Sequence, residues 1–171
     1  MRWPFQTAET RERRHEEEAE RFRKREEATR MIADLFMRHN GMATASIIDE
    51  LERIHEFYAV PSSAPSGEQG GYFYQIIKDL TQAPLPAEQV RRLVAMLLWP
   101  ELRPYKDRGA PTCLVMAAMQ APSETYIPAL SEHVAWLEEE IKSLSSSQYR
   151  TDVASEIRLA KGAIQACRVR P

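Results

Sequence analysis

The sequence predicts an all-α protein: a compact bundle or short helical solenoid, with a long, highly charged N-terminal helix that projects from it. Two observations support this fold class. Apolar residues recur at spacings of three and four in successive segments, and prolines or glycines separate these segments. Nowhere do apolar and polar residues alternate between hairpin signals, as is typical of a half-buried strand.

Residues 9–30, ETRERRHEEEAERFRKREEATR, are the most unusual stretch of the chain, with eight acidic and eight basic side chains. They contain neither Gly nor Pro and are rich in strong helix formers. We therefore expect a solvated helix from about Thr7 to His39, where Asn40-Gly41 supplies a stop signal. Only its last two turns, residues 31–36, are apolar enough to join a core.

The chain accordingly divides into a charged arm, residues 1–30, and a single α-helical domain, residues 31–171. Further helices are predicted at 44–58, 72–81, 86–99, 111–120 and 123–144, and a last one that begins at Thr151 or Asp152 and ends near 168. A loop rich in Gly, Pro and Ser is predicted at 60–71, and a second loop at 100–109.

The last two predicted helices have the sequences ETYIPALSEHVAWLEEEIKSL and TDVASEIRLAKGAIQACR. The residues in them that follow a known repeat pattern are Pro128, Leu130, Asp152, Ile157-Arg158, Ala160 and Ala163-Ile164. With these residues, the stretch 123–168 resembles one HEAT repeat, and residues 86–121 resemble an earlier, more degenerate unit. The long first helix and Gly162, where Ala is usual, depart from the family pattern. The resemblance implies a binding scaffold, because helical solenoids present extended surfaces and seldom perform chemistry.

Bulk composition narrows the classes of protein further. With a net charge of −2, the protein has no overall electrostatic attraction to nucleic acid or to anionic lipid. No apolar run approaches the roughly 18 residues of a membrane span, and residues 1–10 lack a hydrophobic signal core. The two cysteines, Cys113 and Cys167, lie in helical apolar patterns and are expected to be core residues in a reducing compartment. We therefore expect a cytoplasmic protein.

Motifs for catalysis or metal binding are weak. Glu52 and His55 have the Glu-x-x-His spacing of di-iron bundles, but the chain has no second copy, so we interpret them as an exposed polar pair. The four histidines lack zinc-site spacing, and the glycines of the 60–71 loop do not follow a strand. The sequence predicts no enzyme, metal or cofactor. An enzyme or metal protein whose site the sequence does not reveal stays an alternative.

The C-terminal half contains many basic residues. They are Arg91, Arg92, Arg103, Lys106, Arg108, Arg150, Arg158, Lys161, Arg168 and Arg170. An aromatic residue among them, Tyr105, suits the stacking of nucleic-acid bases. Because carboxylates are interspersed, a mixed solvated surface is favoured, and a nucleic-acid accessory protein that uses this Arg-rich face is the alternative.

The charged arm has three interpretations: a spacer, a coiled coil, or a helix that lies on a partner. Heptad spacing connects Ala8, His15, Phe22 and Thr29, but their companions Arg11, Glu18 and Arg25 are charged, which argues against a tight dimer. Aromatic residues at Trp3, Phe5 and Phe22 favour the third interpretation, because exposed aromatics anchor interfaces.

The function predicted from the sequence is that of a non-enzymatic protein–protein interaction module, such as an adaptor, an assembly factor or an immunity-type inhibitor. The predicted partner-binding residues are Trp3, Phe5, Phe22, Arg103, Tyr105, Lys106 and Arg108. The sequence leaves the partner protein unidentified and leaves a homo-oligomer open.

Overall fold

The structure is a computed structural model that describes residues 8–58, 71–102 and 109–169. Over these ranges the chain forms helices and no strand, so the all-α prediction is confirmed. The α-helices are α1 (Ala8–Arg38), α2 (Thr44–Phe57), α3 (Tyr72–Leu80), α4 (Ala87–Ala95), α5 (Gly109–Gln120), α6 (Ile127–Ser143) and α7 (Ser147–Val169). The predicted loop at 60–71 lies, apart from Gly71, outside the described residues, as does most of the predicted loop at 100–109.

Three predicted boundaries were wrong by four residues or more. α6 begins at Ile127, after a 3₁₀ turn at Glu124–Tyr126, rather than at Ser123. α4 ends at Ala95 and is followed by two 3₁₀ turns, Met96–Leu98 and Pro100–Leu102, because Pro100 disfavours helical backbone at the preceding Trp99. The last helix begins at Ser147 rather than at Thr151 or Asp152. The Thr151 hydroxyl donates to the Ser147 carbonyl oxygen at 3.1 Å, so this residue belongs to the helix interior.

The bundle is organised around α5, which packs against α3, α4 and α7. α5 is apolar on most of its circumference, and small residues such as Ala110, Ala117 and Ala118 are fully covered. Small side chains allow neighbouring helices to approach closely, so the most buried helix is also the one richest in alanine.

The long helix α1 joins this bundle only through its C-terminal part. Ala28, Ile32 and Leu35 are buried where α1 contacts α2 and α3. Burial therefore begins one turn earlier than the predicted apolar segment at 31–36. Residues 11–27 are all exposed.

The helices α6 and α7 pack against each other and are connected by only three residues, 144–146. Any αα-hairpin has this arrangement, so the HEAT resemblance stays a prediction. Between the two helices, Nε2 of His133 lies 2.9 Å from Oε1 of Glu156. Their side chains are only 3% and 5% exposed, so this polar pair lies within the core.

The first prediction concerns this buried pair. Glu156→Leu leaves His133 buried without its partner and should lower the free energy of unfolding by about 3 kcal/mol. The double variant His133→Leu/Glu156→Met should recover most of that loss, because it replaces the pair with packed apolar groups. Urea denaturation followed by circular dichroism measures both. An equal loss of unfolding free energy in the single and the double variant would show that the two side chains are not energetically coupled.

The second prediction concerns Gly162, which is exposed within α7. An added Cβ there meets no atom within 4 Å, so Gly162→Ala should raise the free energy of unfolding by about 0.5–1 kcal/mol through helix propensity alone. Gly109→Ala is the contrasting variant, since its Cβ would overlap the ring of Tyr74 and should be destabilising. Thermal melts of both variants test this; a lower melting temperature for Gly162→Ala would contradict it.

Candidate functional site

The exposed part of α1, residues 11–27, is the most distinctive surface of the described chain. Its side chains are held by ion pairs along the helix: Arg13 with Glu17 at 3.5 Å and Lys24 with Glu20 at 3.1 Å. The hydrogen bond from Lys24 lowers the pKa of Glu20, which favours the ionised carboxylate. This stretch is therefore helical by local interactions between charges and needs no apolar face.

Phe22 is the one large apolar side chain of this surface and is 63% exposed. It borders an open depression of about 550 Å³, which is also lined by Arg25, Glu26, Thr29 and Arg30. A large exposed aromatic ring surrounded by charged groups is typical of an interface anchor. Of the seven partner-binding residues predicted from the sequence, Phe22 is the one that the structure describes. The others, Trp3, Phe5, Arg103, Tyr105, Lys106 and Arg108, lie outside the described residues.

Most described members of the predicted basic face make contacts within the chain. Arg91 pairs with Glu88. Arg92 pairs with both Glu52 and Asp49, and these two carboxylates raise its pKa. Arg150 donates to the Leu144 carbonyl oxygen at 2.6 Å. These contacts agree with a mixed solvated surface rather than a continuous cationic one.

Glu52 and His55 do not pair with each other, so the expectation of an exposed polar pair was wrong. Glu52 binds Arg92, while His55 contacts the Glu101 carboxylate and stacks on Trp99 with ring centroids 4.1 Å apart. Each side chain therefore connects α2 to a different neighbour. Within the described ranges, His, Cys, Asp and Glu side chains form no group of three or more that could hold a metal ion.

The cysteines occupy the environments expected of core residues. Cys167 is buried and Cys113 is partly buried, and both are free thiols. Burial raises the pKa of the Cys113 thiol, which disfavours the thiolate that a nucleophilic cysteine requires.

A second concave region, which we call the α1–α3–α4 cleft, was not predicted from the sequence. It has a volume of about 480 Å³ and lies between the C-terminal ends of α1 and α3 and the N-terminal ends of α2 and α4. The residues that line it are His39, Asn40, Met42, Ala43, Thr44, Ala45, Ile47, Asp79, Leu80, Ala83, Pro84, Leu85, Pro86 and Gln89. Most of these side chains are small or apolar.

Two polar groups in this cleft stand out. Nε2 of the buried His39 lies 2.8 Å from Oδ2 of Asp79, while Nδ1 lies 2.6 Å from the Phe36 carbonyl oxygen, which ties the end of α1 to α3. Oε1 of Gln89 is buried and accepts no hydrogen bond; in the described part of the chain it is the one buried side-chain polar atom in this state. A buried acceptor of this kind is normally satisfied by water or a bound group. Neither feature can be predicted from local sequence patterns, because His39 and Asp79 are 40 positions apart and the residues around Gln89 come from several elements.

Comparisons with known proteins find no match to this chain among protein-family models, curated proteins or solved structures. Among the helices in the described ranges, none combines the length and the apolar character needed to cross a lipid bilayer.

The third prediction concerns Gln89. Gln89→Met replaces the unpaired acceptor with an apolar group of similar length and should raise the free energy of unfolding by about 1 kcal/mol. The control is Gln120→Met on the exposed end of α5, which should change it by less than about 0.5 kcal/mol. Chemical denaturation of both variants is the measurement. Destabilisation by Gln89→Met would instead reveal that a water molecule or ligand in the cleft satisfies this oxygen.

Proposed function

We propose that the protein is a non-enzymatic α-helical interaction module that binds a partner protein through the exposed surface of α1. The observation that supports this proposal is the contrast between the two parts of one helix. Ala28, Ile32 and Leu35 fix its C-terminal part in the core, whereas residues 11–27 are exposed over more than four turns. A stable helical segment that contributes no side chain to the core of the protein is available to bind another molecule.

The chemistry of this surface suits protein recognition. Phe22 is the candidate anchor, because a single aromatic ring buried on binding contributes much of the energy of an interface. The surrounding charges of both signs contribute specificity and speed of association, since they attract a complementary surface and repel others. An adaptor, an assembly factor or an immunity-type inhibitor would use a helix in this way.

Cytoplasmic residence is part of the same proposal. Cys113 and Cys167 are free thiols, as is usual for proteins in a reducing compartment.

The fourth prediction separates binding from folding. Deleting residues 1–26 keeps Ala28, Ile32 and Leu35, so the remaining domain should melt within a few degrees of the full chain. The deletion should abolish capture of a partner, and Phe22→Ser in the full-length chain should weaken capture about ten-fold or more. Immobilised protein and lysate of the native host, analysed by quantitative mass spectrometry, provide the measurement.

The matched control is Met116→Ser on α5, which also replaces an exposed apolar side chain but lies on another helix. It should leave capture unchanged. A deletion variant that fails to fold would show that the α1 arm is structural, and unchanged capture by Phe22→Ser would remove Phe22 from the binding surface.

A further inference from the structure

We infer that the exposed surface of α1 binds a second copy of the same chain, with the two α1 helices antiparallel and centred midway between Glu20 and Arg21. This inference rests on the proposed function, because it names the partner of the same surface. It is argued from the spacing, exposure and charge of residues along α1.

A stripe of residues at alternating spacings of three and four follows α1. Its members, which we call the α1 stripe, are Glu12, His15, Ala19, Phe22, Glu26, Thr29 and Ala33. At 100° per residue, the stripe lies about 140° around the helix from the buried Ala28, Ile32 and Leu35. Its members from 12 to 26 are exposed, and Thr29 and Ala33 are partly exposed. The stripe is therefore accessible while α1 is docked to the bundle.

The stripe is complementary to itself in the antiparallel direction. With the centre between Glu20 and Arg21, Ala19 of one copy lies opposite Phe22 of the other, so the large ring faces the smallest side chain of the exposed region. In the next layers His15 lies opposite Glu26, and Glu12 opposite Thr29. The central layer therefore combines a large with a small residue, and the outer layers combine polar residues without placing like charges together.

The residues that flank the stripe strengthen this arrangement. Glu16 and Glu18 of one copy lie across from Arg23 and Arg25 of the other, and the two-fold symmetry repeats every such contact. Within the described part of the chain, Glu16, Arg23 and Arg25 form no ion pair, whereas their neighbours Arg13, Glu17, Glu20 and Lys24 are paired along the helix. Of the four flanking residues, Glu18 lies 3.9 Å from Nδ1 of His15 on its own helix, and the other three are available to bind across an interface.

The two halves of the charged stretch also differ in sign. Residues 9–18 contain five carboxylates and three arginines, whereas residues 20–30 contain three carboxylates and five basic side chains. Antiparallel pairing places the negative half of each copy against the positive half of the other, which favours encounter in this orientation.

A parallel pair would be less favourable. It would keep the attractive contacts of Arg11 with Glu16 and of Glu18 with Arg23, but Glu12 would face Glu12, Glu26 would face Glu26, and Arg25 would approach Arg30 of the second copy. Like charges in these positions are repulsive. The charge pattern of α1 therefore favours the antiparallel orientation.

The fifth prediction tests the pairing and its direction in the full-length protein. Sedimentation equilibrium of the purified chain should show a concentration-dependent dimer. The double variant Glu12→Cys/Thr29→Cys should form a covalent dimer under mild oxidation, because these positions are adjacent only across an antiparallel interface. Within one chain they are about 25 Å apart along the helix, which is too far for a disulfide. The unmodified chain, with Cys113 and Cys167, is the control and should not cross-link, nor should either single variant.

Charge reversal provides the matched test of the flanking contacts. Arg23→Glu places like charges across the interface and should weaken dimerisation about ten-fold. The exchange Glu16→Arg/Arg23→Glu should restore most of it. Lys24→Glu makes the same change of net charge on the opposite side of α1 and should leave the dimer unaffected.

Three outcomes would overturn the inference. One is cross-linking by Thr29→Cys alone, because it requires a parallel pair. The others are a dimer that survives deletion of residues 1–26 and a chain that stays monomeric at every concentration. A monomer whose capture of a host protein still depends on Phe22 would overturn the self-pairing and leave the proposed function standing. A monomer whose capture is unchanged by Phe22→Ser would overturn both.

Discussion

The docking of Ala28, Ile32 and Leu35 against α2 and α3 is the contact on which the arrangement of this protein depends. α1 has no apolar face over most of its length, so its orientation relative to the bundle is set at its C-terminal end, by this buried segment and by the contact of His39 with Asp79. The exposed residues before it are helical through charge pairs at local spacing. A buried segment of about two turns thus determines where more than four turns of charged surface are presented.

The apolar bundle is further specified by polar contacts between elements. Three histidines each contact a carboxylate from another element: His39 with Asp79, His55 with Glu101 and His133 with Glu156. Apolar packing alone tolerates several arrangements of short amphipathic helices, whereas a partly buried ion pair is satisfied in one. In this bundle, the pairs fix the end of α1 to α3, α2 to the turn after α4, and α6 to α7.

The residues that stabilise the fold and the residues that we propose for binding are different. The bundle contains the core and the histidine–carboxylate pairs, whereas the exposed part of α1 contains charged side chains and Phe22. Under the proposed function, substitutions in the exposed part change binding without changing the fold.

The sequence by itself determined the fold class, the order of the helices and the solvated character of residues 11–27, because apolar spacing, proline positions and charge density act locally along the chain. It also determined the self-complementary charge pattern of α1. The tertiary structure alone decided that α5 is central, that burial begins at Ala28, and that the histidines pair with Asp79, Glu101 and Glu156. These contacts join residues 23 to 46 positions apart, and no local propensity specifies which distant side chains meet.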